Sequence, residues 1–281
     1  MTVLARKIEL VDNRADDAAI RVADVSLSLP DRSGRRIDIL DKVGLAVRPG
    51  EFVSIVGPSG CGKSTLLNCI AGLRTAEAGT IEVLDRPTGA PRADVGYMFQ
   101  THALFPWRTV LENAEMALEL SGMPRLERRE RAQRMLERMG LGGFESHYPG
   151  EISGGMRQRV SLARMLVTNP SVLLMDEPFG ALDAQTKLLM QELFLDEWEK
   201  LRRTVLFVTH DLAEAIVMSD RIIVMSARPG RIIREYTVGL PRPRLLAEVR
   251  STSRFVQLWD ALWSDLRSEA TDSLRGSRHG R

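Results

Sequence analysis

The sequence predicts an α/β domain with an N-terminal antiparallel β-subdomain and a helical insertion. Three observations carry that prediction. Apolar strand-like runs alternate with helical patterns over residues 172–225, the pattern of a parallel sheet covered by helices. Upstream lies Gly57-Pro58-Ser59-Gly60-Cys61-Gly62-Lys63-Ser64, of the form G-x-x-x-x-G-K-S, between an apolar run and a helical pattern. Strand, glycine loop and helix in that order are what a phosphate-binding loop requires. Residues 101–168 lose the alternation and read as helices only.

Composition sets the bounds. The chain has 281 residues, enough for one large domain or a domain with a subdomain. Its 39 basic and 37 acidic side chains nearly cancel, which argues against a global field for nucleic acid. The arginines of 125–131 interleave with acids and read as a solvated helix face. Two cysteines, Cys61 and Cys69, do not make a disulfide framework, and a reduced compartment is the natural reading. No apolar run approaches the length of a membrane span. Glu9, Asp12, Asp16 and Asp17 leave no signal-peptide core at the N-terminus, so a partner must supply any span.

Taken in order, residues 1–19 are charged and aperiodic and read as a loose leader. Residues 21–29 and 37–47 read as strands joined by a turn at 31–34. Phe52-Val53-Ser54-Ile55-Val56 suits a buried parallel strand. Leu66, Leu67, Ile70, Ala71 and Leu73 mark a helix ending near Gly72, followed by strands at 80–84 and 95–100. The insertion holds helices at 109–121, 125–139 and one starting near Ser153, punctuated by glycine and proline. A strand at 172–175, helix 184–202, strand 204–209, helix 211–218 and strand 221–225 complete the domain, and 231–236 reads as a further strand. Phe255, Leu258, Trp259, Leu262, Trp263 and Leu266 fall on one helix face, expected to pack on the domain. Disorder is expected over 268–281.

The chemistry gathers around the glycine loop. Glycines let successive N–H groups point into one concavity, and the helix that follows adds the positive end of its dipole. Lys63 supplies charge for β- and γ-phosphates, and the Ser64 hydroxyl can hold Mg²⁺. Asp176 ends a buried strand, which sets a second Mg²⁺ ligand at the carboxyl edge of the sheet. Glu177, one residue on, can polarise the attacking water. Gln100 ends another strand, where its amide can touch Mg²⁺ or that water. Two roles are open to His210: a helix cap, or a contact to the γ-phosphate. Ser153-Gly154-Gly155 precedes a helix, as a plain N-cap or as a second anion site. Cys61, among loop N–H groups and near Lys63, is expected to be a reactive thiolate.

Together, Gly57–Ser64, Gln100, Ile152–Met156, Val172–Glu177, Ala181-Leu182-Asp183 and His210 occur in the order found in ABC transporter ATPase subunits. The resemblance covers about residues 20–226 and implies a P-loop NTPase core. It implies that Gly57, Pro58, Ser59, Gly60, Cys61, Gly62, Lys63, Ser64 and Thr65 cradle ATP. Ser153, Gly154 and Gly155 become the signature, Asp183 the D-loop residue and His210 the switch histidine. In the family two subunits pair head to tail, with ATP between the loop of one and the signature of the other. His102–Arg108, Ser153–Arg159 and Met225–Arg231 further resemble importers of the nitrate, sulfonate and taurine type. That resemblance implies permease subunits and, indirectly, a solute-binding protein as partners. It implies a place on the cytoplasmic face of the membrane, with the permease docked near Gln100–Arg108 and no nucleic acid bound. An exporter or lipid-transport ATPase, or a non-transport member of the family, is the alternative. Met156 stands where the general signature has Gln. Leu29 stands where an aromatic ring usually stacks on adenine, so ATP and GTP are expected to bind alike.

Overall fold

The structure is a computed structural model and describes residues 17–31, 33–119 and 121–276. Most of the expected leader, residues 1–16, and the last residues of the expected tail, 277–281, lie outside the described residues. Two sheets organise the rest. The first is antiparallel and is built from β1 (Ile20–Pro30), β2 (Arg36–Val47), β4 (Ala78–Val83) and the short β5 (Arg86–Pro87), in the order β2-β1-β4-β5. β1 and β2 pair with Val22 opposite Leu45 and Leu29 opposite Ile37. This is the expected β-subdomain.

The second sheet has the order β10-β9-β3-β8-β7-β6. Its members are β3 (Phe52–Val56), β6 (Val95–Met98), β7 (Val172–Asp176), β8 (Thr204–Val208), β9 (Arg221–Met225) and β10 (Ile232–Thr237). All pairs are parallel except that of the edge strand β10 with β9. Every residue of β3, β7, β8 and β9 is buried, which is why these strands read as unbroken apolar runs rather than alternations. Because the strands are parallel, the segments after β3, β6, β7 and β8 all leave at one edge. That edge receives the glycine loop, Gln100, Asp176-Glu177 and His210.

Helix α1 (Lys63–Ile70) follows β3. The insertion contributes α2 (Val110–Glu119), α3 (Arg125–Arg138) and α4 (Gly154–Leu166), packed through Val110, Ala114, Leu136 and Val160. Helices α5 (Ala184–Leu201) and α6 (Leu212–Met218) complete the main domain. Phe52 anchors its core, with the Trp198 ring edge-on at 5.4 Å.

The C-terminal region departs from expectation in three ways. A short helix α7 (Leu246–Val249) follows the Pro241–Pro243 break. Helix α8 (Ser253–Gly276) continues past Ser268, where disorder was expected. Its Glu269 carboxylate accepts the Ala227 N–H at 3.0 Å, which ties that part of the helix to the domain. The apolar stripe also divides. Phe255, Leu258 and Leu262 are buried, whereas Trp259 and Trp263 are 37% and 57% exposed. Each fully buried member stabilises the docked helix by roughly 1.5–3 kcal/mol.

Candidate nucleotide site

The glycine loop shapes the site through backbone conformation. Gly60 and Gly62 adopt φ of 76° and 109°, where a side chain is strained. A Cβ at Gly62 would also meet Leu40 Cδ2 at 2.8 Å. Lys63 is 5% exposed, and its Nζ donates to the Gly57 and Pro58 carbonyls at 2.8 and 3.0 Å. No carboxylate pairs with it among the described residues. Its third contact is the Cys61 Sγ at 3.9 Å. A buried ammonium held by two neutral carbonyls and a thiol has no anionic partner among the described residues, and the phosphate chain of a nucleotide fits that need.

Beside it, the Ser64 hydroxyl donates to Asp176 Oδ1 at 2.8 Å. Burial pushes the Asp176 carboxyl above the usual carboxylate range; the Ser64 hydrogen bond opposes the rise, Glu177 adds to it, and Lys63 opposes it. A divalent cation there would remove the cost of that buried charge. Among the described residues no group of three or more His, Cys, Asp or Glu could hold a metal. Ser64 and Asp176 therefore fit Mg²⁺ only if phosphate and water complete its shell.

Glu177 stands between two partners. Gln100 Nε2 donates to its Oε2 at 3.2 Å, and His210 Nδ1 lies 3.0 Å from the same oxygen. Glu177 itself has φ of 46°, a conformation costing roughly 1–3 kcal/mol outside glycine. Its N–H donates to the Val208 carbonyl at 2.9 Å, so β8 holds the turn in place. Of the two roles open to His210, the cap falls to Asp211, whose Oδ1 accepts the Glu214 N–H. Behind them lies a charged cluster that the sequence did not disclose. Lys187 Nζ donates to Asp211 at 2.7 Å and lies 3.4 Å from the buried Glu214. Glu214 also accepts from Gln191 at 2.9 Å and from the Thr209 hydroxyl.

These groups face one cleft of about 510 Å³, lined by Ser59, Lys63, Ser64, Gln100, Glu177 and His210 among others. Leu29 and Ile39 supply its aliphatic wall, with no aromatic ring beside them in the lining. Arg228, from a segment without an expected role, also lines it. Ser153, Gly154, Gly155 and Asp183 do not. Ser153 caps α4 by accepting the Met156 N–H at 3.2 Å. A Cβ at Gly155 would meet Thr186 Cγ2 at 2.6 Å, so the Ser-Gly-Gly turn abuts the start of α5. Asp183 caps α5, and hydrogen bonds, chiefly from Thr186, hold its carboxyl below the usual range.

Cys61 corrects its expectation. Its side chain is 1% exposed, and burial pushes the thiol up despite Lys63. The Sγ packs under Gly57, where a Cβ would meet it at 3.1 Å. A reactive thiolate is not what this packing produces.

Comparison with known proteins agrees with the geometry. The family model described as ABC transporter matches residues 40–180. The nitrate import ATP-binding protein NrtD of Synechocystis is 50% identical over 202 residues, 72% of this chain and 76% of that one. The taurine import ATP-binding protein TauB of Rhizobium johnstonii is 40% identical over 264 residues, 92% and 99% of the two chains. A solved dimeric bacterial ABC transporter cassette is similar at a TM-score of 0.70 and 35% identity, covering 79% of this chain and all of that one. A post-hydrolysis dimer of an ATP-binding cassette with ADP and Pi is similar at 0.70 and 34%, covering 79% of this chain and all of that one. The chain belongs to the ABC transporter family. It is an ATP-binding and ATP-hydrolysing subunit of that family.

Proposed function

We propose that this subunit energises import of a small anionic solute of the nitrate, sulfonate or taurine class. The observation that carries the chemistry is the Glu177 carboxylate held by Gln100 and His210 beside the Ser64–Asp176 pair. The names of the relatives support the solute class.

The geometry supports a division of labour. Lys63 and the loop N–H groups bind and orient the phosphate chain. Ser64, Asp176 and Gln100 would hold Mg²⁺, which supplies charge neutralisation at the phosphates. Glu177 Oε2 takes the proton of the attacking water, and His210 and Gln100 orient that oxygen. His210, which lines the cleft, would contact the γ-phosphate. Ser153, Gly154, Gly155 and Asp183 serve the site of a second copy of the chain, since they do not line the cleft of their own.

Partners follow by the same reasoning. Among the described residues no helix is long and apolar enough to cross a membrane. Permease subunits would supply the spans, with the chain peripheral on the cytoplasmic face and a solute-binding protein reached only through them. A groove of about 670 Å³ lined by Tyr97, Phe99, Phe105, Met116 and Met123 lies at the insertion and offers the permease an apolar seat.

Two substitutions test the site. Lys63→Ala is expected to weaken ATP binding. Glu177→Gln is expected to keep ATP bound while hydrolysis falls about 10²–10⁴-fold. Equilibrium ATP binding and phosphate release report both, and a Glu177→Gln protein turning over at the normal rate would overturn the assignment.

A further inference from the structure

The segment after β9 is built onto the glycine loop. Gly230 lies so close that a Cβ there would meet the Cys61 carbonyl oxygen at 2.2 Å. Its N–H donates to the Ile39 carbonyl at 2.8 Å, and its own carbonyl accepts the Asp41 N–H at 3.1 Å. Arg231 Nε pairs with Asp41 at 2.8 Å. Ser226 Oγ accepts the Arg231 N–H and donates to the Pro229 carbonyl at 3.0 Å. Ala227 is tied to Glu269 of α8. The backbone on both sides of residue 228 is thus fixed, and the Arg228 side chain lines the nucleotide cleft.

Arg228 Nε and Nη2 donate to the Gly60 carbonyl at 3.1 and 2.9 Å. That carbonyl is its only partner among the described residues, and no carboxylate answers its charge. A guanidinium has five N–H donors in a planar fork that matches phosphate oxygens. Here the fork holds one neutral oxygen of the glycine loop, and its other donors have no protein partner among the described residues. Lys63, which is buried, likewise donates to carbonyls of the loop, those of Gly57 and Pro58.

We propose that Arg228 is a nucleotide-binding residue whose guanidinium, seated at Gly60 in the cleft lining, takes the phosphate chain of ATP. The proposal rests on the reading of the cleft as an ATP site. It gives the segment at 225–231 a role in affinity. It also compensates for the aliphatic wall at Leu29, because binding then draws more on phosphate and less on the base.

The test compares the full chain with Arg228→Lys and Arg228→Gln, using displacement of a fluorescent ATP analogue by ATP and by tripolyphosphate, which has no base. Arg228 is exposed, so both variants are expected to fold. Lys and Gln can each donate one hydrogen bond to Gly60, but only Lys keeps the charge. Arg228→Gln is expected to weaken ATP and tripolyphosphate about tenfold alike, with Arg228→Lys within about threefold of wild type. Unchanged affinity in Arg228→Gln would overturn the proposal. So would equal losses in Lys and Gln, which would make Arg228 a prop for Gly60 only. Wild type that binds neither ATP nor the analogue would instead overturn the ATP-site reading, and the proposal with it.

Discussion

Asp176 sets stability against chemistry. Burial raises its carboxyl in the folded chain above the ordinary value of 3.8. The folded state therefore holds the proton more tightly than the unfolded state. Stability falls as pH climbs from 3.8 through the raised folded value, and at neutral pH the ionised group is a cost. Asp176→Asn removes that cost while its amide oxygen can still accept from Ser64. We expect the nucleotide-free variant to melt higher than wild type at pH 7, and to lose at least about a hundredfold in Mg²⁺-dependent hydrolysis. A lower melting point would show that Asp176 is not strained by burial. Much of this site was legible in the sequence, because Gly60, Gly62, Lys63 and Ser64 act through backbone shape and charge that the residue types specify. Cys61 was not legible. Its burial depends on the segment of Met225 and Gly230 closing over the glycine loop, and that contact joins segments more than 160 residues apart, beyond any local pattern.

Elements were legible in proportion to the regularity of their burial. β3, β7, β8 and β9 are buried throughout and appear as apolar runs with nearly the expected bounds. The two-residue β5 and the four-residue α7 are too short to hold a period. In α8 the period predicts the helix and its docked face, but not the width of the surface that receives it, so Trp259 and Trp263 stay outside. The link between α5 and α6 was equally hidden, since Lys187, Asp211 and Glu214 are common exposed residues in a sequence. Glu214 is 2% exposed, and Lys187 is the cation that answers it. Lys187→Met leaves that carboxylate unpaired and should destabilise the fold by about 3 kcal/mol. Adding Glu214→Gln should recover much of the loss. Denaturant midpoints of the single and double variants measure it, and equal midpoints for wild type and Lys187→Met would discard the cluster as a stabilising link.

At the scale of the molecule, one chain carries a cleft and, apart from its lining, a Ser-Gly-Gly turn that caps α4. Two copies set head to tail would bring each turn to the other's cleft, an arrangement compatible with the dimeric cassettes this chain is similar to. The sequence named both the glycine loop and the Ser-Gly-Gly turn but could not place one relative to the other, because their separation is set by packing of the whole insertion. Ser153→Arg puts a long cation where the small cap now sits. The variant should bind ATP like wild type yet stay monomeric in the ATP-bound, Glu177→Gln background. Sedimentation with and without ATP reads this directly, and a dimer as stable as that of Glu177→Gln alone would reject the shared site.

The strand order has a further consequence during synthesis. β3 carries the glycine loop, yet its two neighbours in the sheet are β8 and β9. Those neighbours leave the ribosome about 150 and 170 residues later, which at ~5–20 residues per second is roughly 8–34 s. Through that interval the five buried residues of β3 have no sheet to join. The nascent chain therefore carries an apolar strand in need of shielding, and it gains a competent nucleotide site only once β8 and β9 have been made.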